Sequence, residues 1–202
     1  TLLKPVDPSI NPFLRKYNLS GKFVVLYSGN LGLSGDVDIL VDVAARIDRD
    51  DIAFVIIGDG AKKNMIRDKV ESLGVTNVMM LPWQPVSELP YSLSSANLAV
   101  VTLGNNASKL AIPSKLYNFL SVGSPLLCIA GNGSEVENLV TKFDCGKCFE
   151  PSDISGITDF ILKMVDNIKL QEMYGENSLK AAGDFSQLKA ASFLESDTPP
   201  IT

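Results

Sequence analysis

The sequence predicts an α/β fold: a Rossmann-like, three-layer parallel sheet of about six strands with helices on both faces. Two observations carry this. Six short runs are almost wholly apolar, as strands buried on both faces are. Between them lie segments with apolar residues at helical spacing, so strand and helix alternate along the 202 residues. A third observation points to a ligand site. Four of the five loops at the carboxyl ends of these strands contain glycine, which lets a ligand approach the backbone where open parallel sheets bind.

The first strand is expected over 22–28, followed by the turn Gly29-Asn-Leu-Gly-Leu-Ser-Gly35. Val37, Leu40, Val41, Ala44 and Ile47 then repeat at helical spacing within a helix placed at 36–51. The second strand, 52–57, closes on Gly58-Asp59-Gly60, and a helix over 62–73 ends at Gly74. A third strand over 77–81 leads into a proline-bracketed loop, and Ser87 is the expected cap of a short helix reaching Ser94. The fourth strand is 98–103, with a polar, irregular stretch to Ala111.

Pro113 reads as the first residue of the next helix, where its missing N–H costs nothing. Leu116, Phe119, Leu120 and Val122 form its apolar face, and Gly123 stops it with Pro125 just beyond. The fifth strand follows at 126–130. Asn132-Gly-Ser-Glu135 has the spacing of a capping box for a helix through Val140. A short strand at 146–149 precedes three helices, marked by Ile154 to Met164, by 170–182 and by 186–194. The expected strand order is 3-2-1-4-5-6. Residues 1–20 read as a linker from a preceding domain, 21–195 as the ligand-binding domain, and 196–202 as a disordered tail.

Composition narrows the function. The net charge of −5 and pI of about 4.8 argue against a nucleic-acid partner. No apolar run reaches the ~18 residues of a membrane span. Three cysteines, an odd count, argue against a disulfide framework, and the absence of His excludes a His base supplied by this chain. Cys145-Gly-Lys-Cys148 has CxxC spacing but leads into a strand, whereas a redox CxxC opens a helix. With no His and one other Cys, a four-ligand zinc site there would need a carboxylate or a second chain.

The start of the 113 helix is the strongest candidate site. Its capping position falls on Ile112, which has no side-chain oxygen, so the first N–H groups lack a local partner. Ser114 and Lys115 sit among those donors, an arrangement suited to a phosphate. A hydrated first turn capped weakly by Ser114 is the competing reading. Asn118 shares a face with Ser114 and Lys115 and could meet sugar hydroxyls, or simply solvent. Gly29-Asn30-Leu-Gly32 is part of a GxxGxxG turn, not the GxGxxG of dinucleotide binders; it suits a phosphate or sugar, or only a tight βα turn. Trp83 could wall a base pocket or lie at a domain interface.

Taken together, Tyr27-Ser-Gly-Asn-Leu-Gly32, Phe54-Val-Ile-Ile-Gly-Asp-Gly60, Asn77-Val-Met-Met-Leu-Pro82, Pro113-Ser-Lys-Leu-Tyr117, Gly123-Ser-Pro-Leu126, Gly133-Ser-Glu135 and Met173-Tyr-Gly175 resemble the C-terminal half of a GT-B glycosyltransferase. The resemblance is to the large retaining family 4, in the form typical of bacterial surface-polysaccharide enzymes, and covers roughly residues 10 to 195. It implies a nucleoside-diphosphate sugar donor, with pyrophosphate near Gly29–Gly32 and the Ser114-Lys115 helix start, and the base near Leu81 to Pro85. Gly58, Pro82, Trp83 and Asn118 then join the donor-binding set. Lys115 and the helix dipole would stabilise the departing diphosphate without a metal. The resemblance also implies a separate N-terminal acceptor domain, a cytoplasmic setting with peripheral membrane association through that domain, and no sugar transfer by this half alone. Two acidic residues common in the family fall on Leu110 and Asn118 here. The basic residue common in the first glycine-rich turn is missing too, with Asn30 and Ser34 nearby. These departures leave open a non-catalytic nucleotide-binding or interaction module.

Overall fold

The computed structural model describes residues 3–32, 35–104 and 112–196, with side chains as far as 185. Among them, six strands form one sheet: β1 (Phe23–Ser28), β2 (Ile52–Ile57), β3 (Val78–Leu81), β4 (Leu98–Thr102), β5 (Leu126–Ile129) and β6 (Gly146–Phe149). Their order is β3-β2-β1-β4-β5-β6 and every neighbouring pair is parallel, as the sequence predicts. The helices are α1 (Pro12–Lys16), α2 (Ile39–Ala44), α3 (Lys63–Leu73), α4 (Leu89–Leu93), α5 (Ser114–Ser121), α6 (Glu135–Phe143), α7 (Ile154–Val165) and α8 (Ile168–Ser196).

The sheet is covered twice because successive side chains of a strand point to opposite faces. Val24 and Leu26 of β1 join one core with Leu93, Phe119, Leu120, Leu139 and Ala181. Phe23, Val25 and Tyr27 join the other with Leu40, Val41, Ile66 and Ile161. All six residues of β1 and of β2 are buried. Each large apolar side chain so buried contributes about 1.5–3 kcal/mol, which makes the two-sided sheet the main source of stability.

Several elements differ from the sequence reading, each for a local reason. From Val6 onward, the segment expected as a linker is docked on the domain. Asn11 is buried, caps α1 by accepting from the Phe13 N–H at 3.0 Å, and donates to the Tyr91 carbonyl. Phe13, Leu14 and Leu19 enter the core. The regular part of the 36–51 helix is only Ile39–Ala44, although Val37 and Ile47 on its flanks are still buried. Ser87 does not cap a helix: Val86–Glu88 is a 3-10 turn, and α4 starts at Leu89 with Pro90 in its first turn. The capping interaction before α6 is shifted by two residues. Ser134 accepts from the Glu137 N–H at 3.3 Å, while Glu137 accepts from the Gly133 N–H at 2.7 Å. The two helices expected at 170–182 and 186–194 are one. Gly183 weakens α8 without breaking it, because Phe185 beyond it packs edge-on against Tyr117 at 4.9 Å and against Phe143 at 5.6 Å. Residues 197–202 lie outside the described residues.

The shifted cap gives a direct test. Ser134→Ala should destabilise the domain by about 1 kcal/mol, the usual cost of a lost N-cap, whereas Asn132→Ala should cost less than half of that. Equal losses in denaturant melts would return the cap to Asn132.

Candidate functional site

The carboxyl ends of β1 and β4 lie side by side where the strand order reverses. Open parallel sheets leave a crevice at this point, since the flanking loops run in opposite directions. A cavity of about 520 Å³ opens there. Gly29, Asn30 and Gly32 line it from the turn after β1, Trp83 from the loop after β3, and Ser114, Lys115 and Asn118 from α5. Seven of the nine residues singled out in the sequence are thus brought together. Gly58 and Pro82 do not line the cavity. Leu110 and Ser34 lie outside the described residues.

The glycine-rich turn is held in place by the turn after β2. Gly29 N–H donates to the Ile57 carbonyl at 3.0 Å, Leu31 N–H to the Asp59 carbonyl at 2.8 Å, and Lys62 N–H to the Leu31 carbonyl at 2.9 Å. The Lys62 ammonium reaches over to donate to the Gly35 carbonyl at 2.7 Å and pairs with Asp38 at 3.1 Å. Gly58 supports this turn from beneath. Its φ is +149°, and a Cβ there would overlap the Gly29 carbonyl oxygen. At Gly60, also at φ +149°, a Cβ would come within 2.6 Å of the Leu31 carbonyl.

At the helix start, Pro113 is the N-cap rather than the first helical residue, with φ −62° and ψ 132°. The consequence is unchanged, because proline has no side-chain oxygen either and gives α5 no side-chain cap. The N–H groups of Ser114 and Lys115 find no partner among the described residues. They add the positive end of the helix dipole to the cavity. Lys115 is half-buried, and its ammonium lies 4.1 Å from the centre of the Tyr27 ring. Burial pulls its pKa down to about 8, with buried Cys128 opposing weakly. Among the described lining residues, Lys115 is the only charged side chain. Asn118 is exposed one turn further along, and Trp83, 53% exposed, stands at the rim.

Sequence reasoning missed Tyr27, Ser28 and Thr102, which form the cavity floor, and Leu89, Leu93 and Leu103 in its wall. The floor residues belong to buried strands, where an apolar run hides which side chains end at the sheet's carboxyl edge. The Thr102 hydroxyl is buried and makes no hydrogen bond of good geometry among the described residues. Burial pushes Cys145 and Cys148 up to about 11, away from thiolate chemistry, and no metal-binding cluster occurs among the described residues.

The fold and cleft together define a doubly wound α/β domain whose switch-point crevice suits an anionic ligand. Comparison with known proteins then places it: the family described as "Glycosyl transferases group 1" matches residues 10–181, and the chain belongs to that family. It is 28% identical over 163 residues to the putative colanic acid biosynthesis glycosyl transferase WcaI of Escherichia coli K12, covering 78% of this chain and 40% of that one. It is 26% identical over 154 residues to the probable glycosyltransferase WbjE of Pseudomonas aeruginosa, covering 74% and 37%. The chain therefore spans about two fifths of the length of these relatives. Among solved structures, Anabaena HepE in complex with UDP superposes with a TM-score of 0.81 at 16% identity, over 96% of this chain and 54% of that one. At that identity the likeness shows a shared fold, that of the GT-B glycosyltransferases.

Proposed function

We propose that this domain binds a nucleoside-diphosphate sugar and forms the donor half of a retaining glycosyltransferase in surface-polysaccharide synthesis. The observation that carries the reading is the position of Lys115. The only charged side chain among the described lining residues stands at a helix start whose N-cap is a proline, in the switch-point cavity opposite a glycine-rich turn. An electrostatic cradle of this kind neutralises a diphosphate and eases its departure as a leaving group. HepE, which shares the fold, has been solved with UDP and with UDP-glucose, so UDP is the first ligand to try.

In this reading Gly29, Asn30, Gly32, Ser114 and Lys115 meet the diphosphate, Asn118 the ribose, and Pro82 and Trp83 the base. Gly58 acts from below by fixing the turn. The acceptor comes from a further N-terminal domain, which also carries any contact with a membrane surface. Among the described residues no helix is long and apolar enough to cross a membrane.

A donor bound to this chain alone would present its sugar to water with no acceptor hydroxyl held beside it, so the proximity contribution to catalysis is absent. The isolated 202-residue chain should therefore show a thermal shift with UDP and UDP-glucose and transfer no sugar. The longer protein should turn over. Transfer by the isolated chain would overturn the half-site reading. A longer protein that binds UDP without turnover would favour the non-catalytic module, a reading supported by the lack of a carboxylate among the described lining residues.

A further inference from the structure

We propose that Tyr27 is the positioning residue of this cleft: its ring seats the Lys115 ammonium while its hydroxyl pins the glycine-rich turn, bringing both to one diphosphate. The proposal rests on the diphosphate reading above. Tyr27 is 1% exposed and sits near the end of β1, beside Ile56 of β2 and Val100 of β4. It therefore occupies the strand at the switch point and cannot swing out into solvent.

Two contacts leave this one side chain. The Lys115 Nζ lies 4.1 Å from the ring centre, over the negative face of the π system. The hydroxyl donates to the Asn30 carbonyl at 2.8 Å. A buried phenol needs an acceptor, and this one has taken a backbone carbonyl of the turn itself. With that carbonyl turned down toward β1, the turn is fixed from below at Asn30 and from the side by Asp59 and Lys62. Gly29 fits in the space between. A Cβ there would lie 3.2 Å from the Tyr27 hydroxyl and 3.3 Å from the Lys115 Nζ.

Among the described residues, the Tyr27 ring is the partner that the Lys115 ammonium meets. The titratable groups that face Lys115 are Tyr27 from β1 and Cys128 from β5, and no carboxylate faces it among the described residues. Asp59, on the adjoining turn, is paired with Lys63 at 2.6 Å. Burial pushes the Tyr27 phenol up to about 12, against a weaker opposing effect of the Thr102 hydroxyl. The phenol stays a donor throughout the range in which Lys115 titrates.

The test separates the two contacts and separates both from the functional reading. The Lys115 titration midpoint is followed by NMR in the ligand-free protein, for wild type, Tyr27→Phe and Tyr27→trifluorophenylalanine. Phe keeps the ring and should leave the midpoint within about 0.3 of wild type. Trifluorination keeps the shape but drains the negative face, and should lower the midpoint by about half a pH unit. A midpoint unmoved by trifluorination overturns the role of the ring. UDP and uridine affinities are then compared by calorimetry. Tyr27→Phe should weaken UDP by about three- to tenfold through the loosened turn and leave uridine unchanged. Equal losses for both overturn the role of the hydroxyl. A wild-type protein that binds no UDP overturns the diphosphate reading and the claim on the turn; the ligand-free midpoint then judges the ring contact on its own.

Discussion

Lys115→Met should lower the affinity for UDP by about thirty- to a hundredfold, as expected for loss of a charge-assisted contact to phosphate. Uridine, with the same base and ribose but no phosphate, should bind within about twofold of wild type. The pH dependence should identify the same group. Lys115 titrates near 8 in the free protein because burial disfavours its charged form. A bound diphosphate favours the charged form and raises that value. Affinity for UDP-glucose, whose phosphates hold no proton in this range, should be level below pH 8 and fall above it. The fall approaches tenfold per pH unit until the bound-state pKa is reached. Lys115→Met should abolish that fall. The stability of the unliganded protein should change in the opposite direction. A lysine whose folded pKa lies below its unfolded value destabilises the fold while charged, and the cost is relieved as pH rises from about 8 to 10.5. Lys115→Met should therefore raise stability at pH 7 by about 1–3 kcal/mol while weakening binding. Loss of both stability and UDP affinity would mark Lys115 as a packing residue.

The sheet could be read from the sequence because β1, β2, β4 and β5 are buried on both faces, and such strands leave uninterrupted apolar runs. The alternation of strand and helix marks these strands as parallel, joined by helices that cover both faces. Helix limits were less legible. Whether α8 breaks at Gly183 is decided by Phe185 meeting Tyr117 and Phe143, contacts between residues far apart in sequence. The cap of α6 depends on which of two overlapping polar spacings the backbone selects, and only the geometry at Ser134 shows it. In the candidate site, residues that announce themselves by chemical type were found: glycines, a lysine at a helix start, a lone tryptophan. Tyr27 lies in a strand of apolar residues and carries no such mark. Nothing in a buried strand distinguishes a tyrosine that fills space from one that holds a lysine and a turn. Lys62 was hidden for a related reason, since a lysine at the start of an exposed helix looks solvated until Gly35 and Asp38 are seen beside it.

Gly58→Ala should destabilise the domain by about 3 kcal/mol or more and remove most of its affinity for UDP, although Gly58 touches no ligand in the proposed site. The argument is steric. With φ at +149°, Gly58 holds a conformation that side chains rarely adopt, and a Cβ would overlap the carbonyl oxygen of Gly29. That obstacle is backbone, so no rotamer change relieves it. Relief requires the turn after β1 to lift away from the turn after β2. Lifting strains the bonds from Gly29 to Ile57 and from Leu31 to Asp59, and it withdraws the Tyr27 hydroxyl from Asn30. Gly29, Asn30 and Gly32, which line the cavity, then shift with the turn. Gly74→Ala is the matched control. Gly74 also has positive φ, +62°, but a Cβ there meets nothing within 4 Å, and the residue ends α3 at a distance from the cavity lining. That variant should lose only about 1–2 kcal/mol, the conformational cost of a left-handed residue, and bind UDP as wild type does. Denaturant melts give the first difference and calorimetry the second. If Gly58→Ala matches Gly74→Ala in both, the glycine-rich turn does not depend on the turn beneath it, and the proposed coupling between them fails.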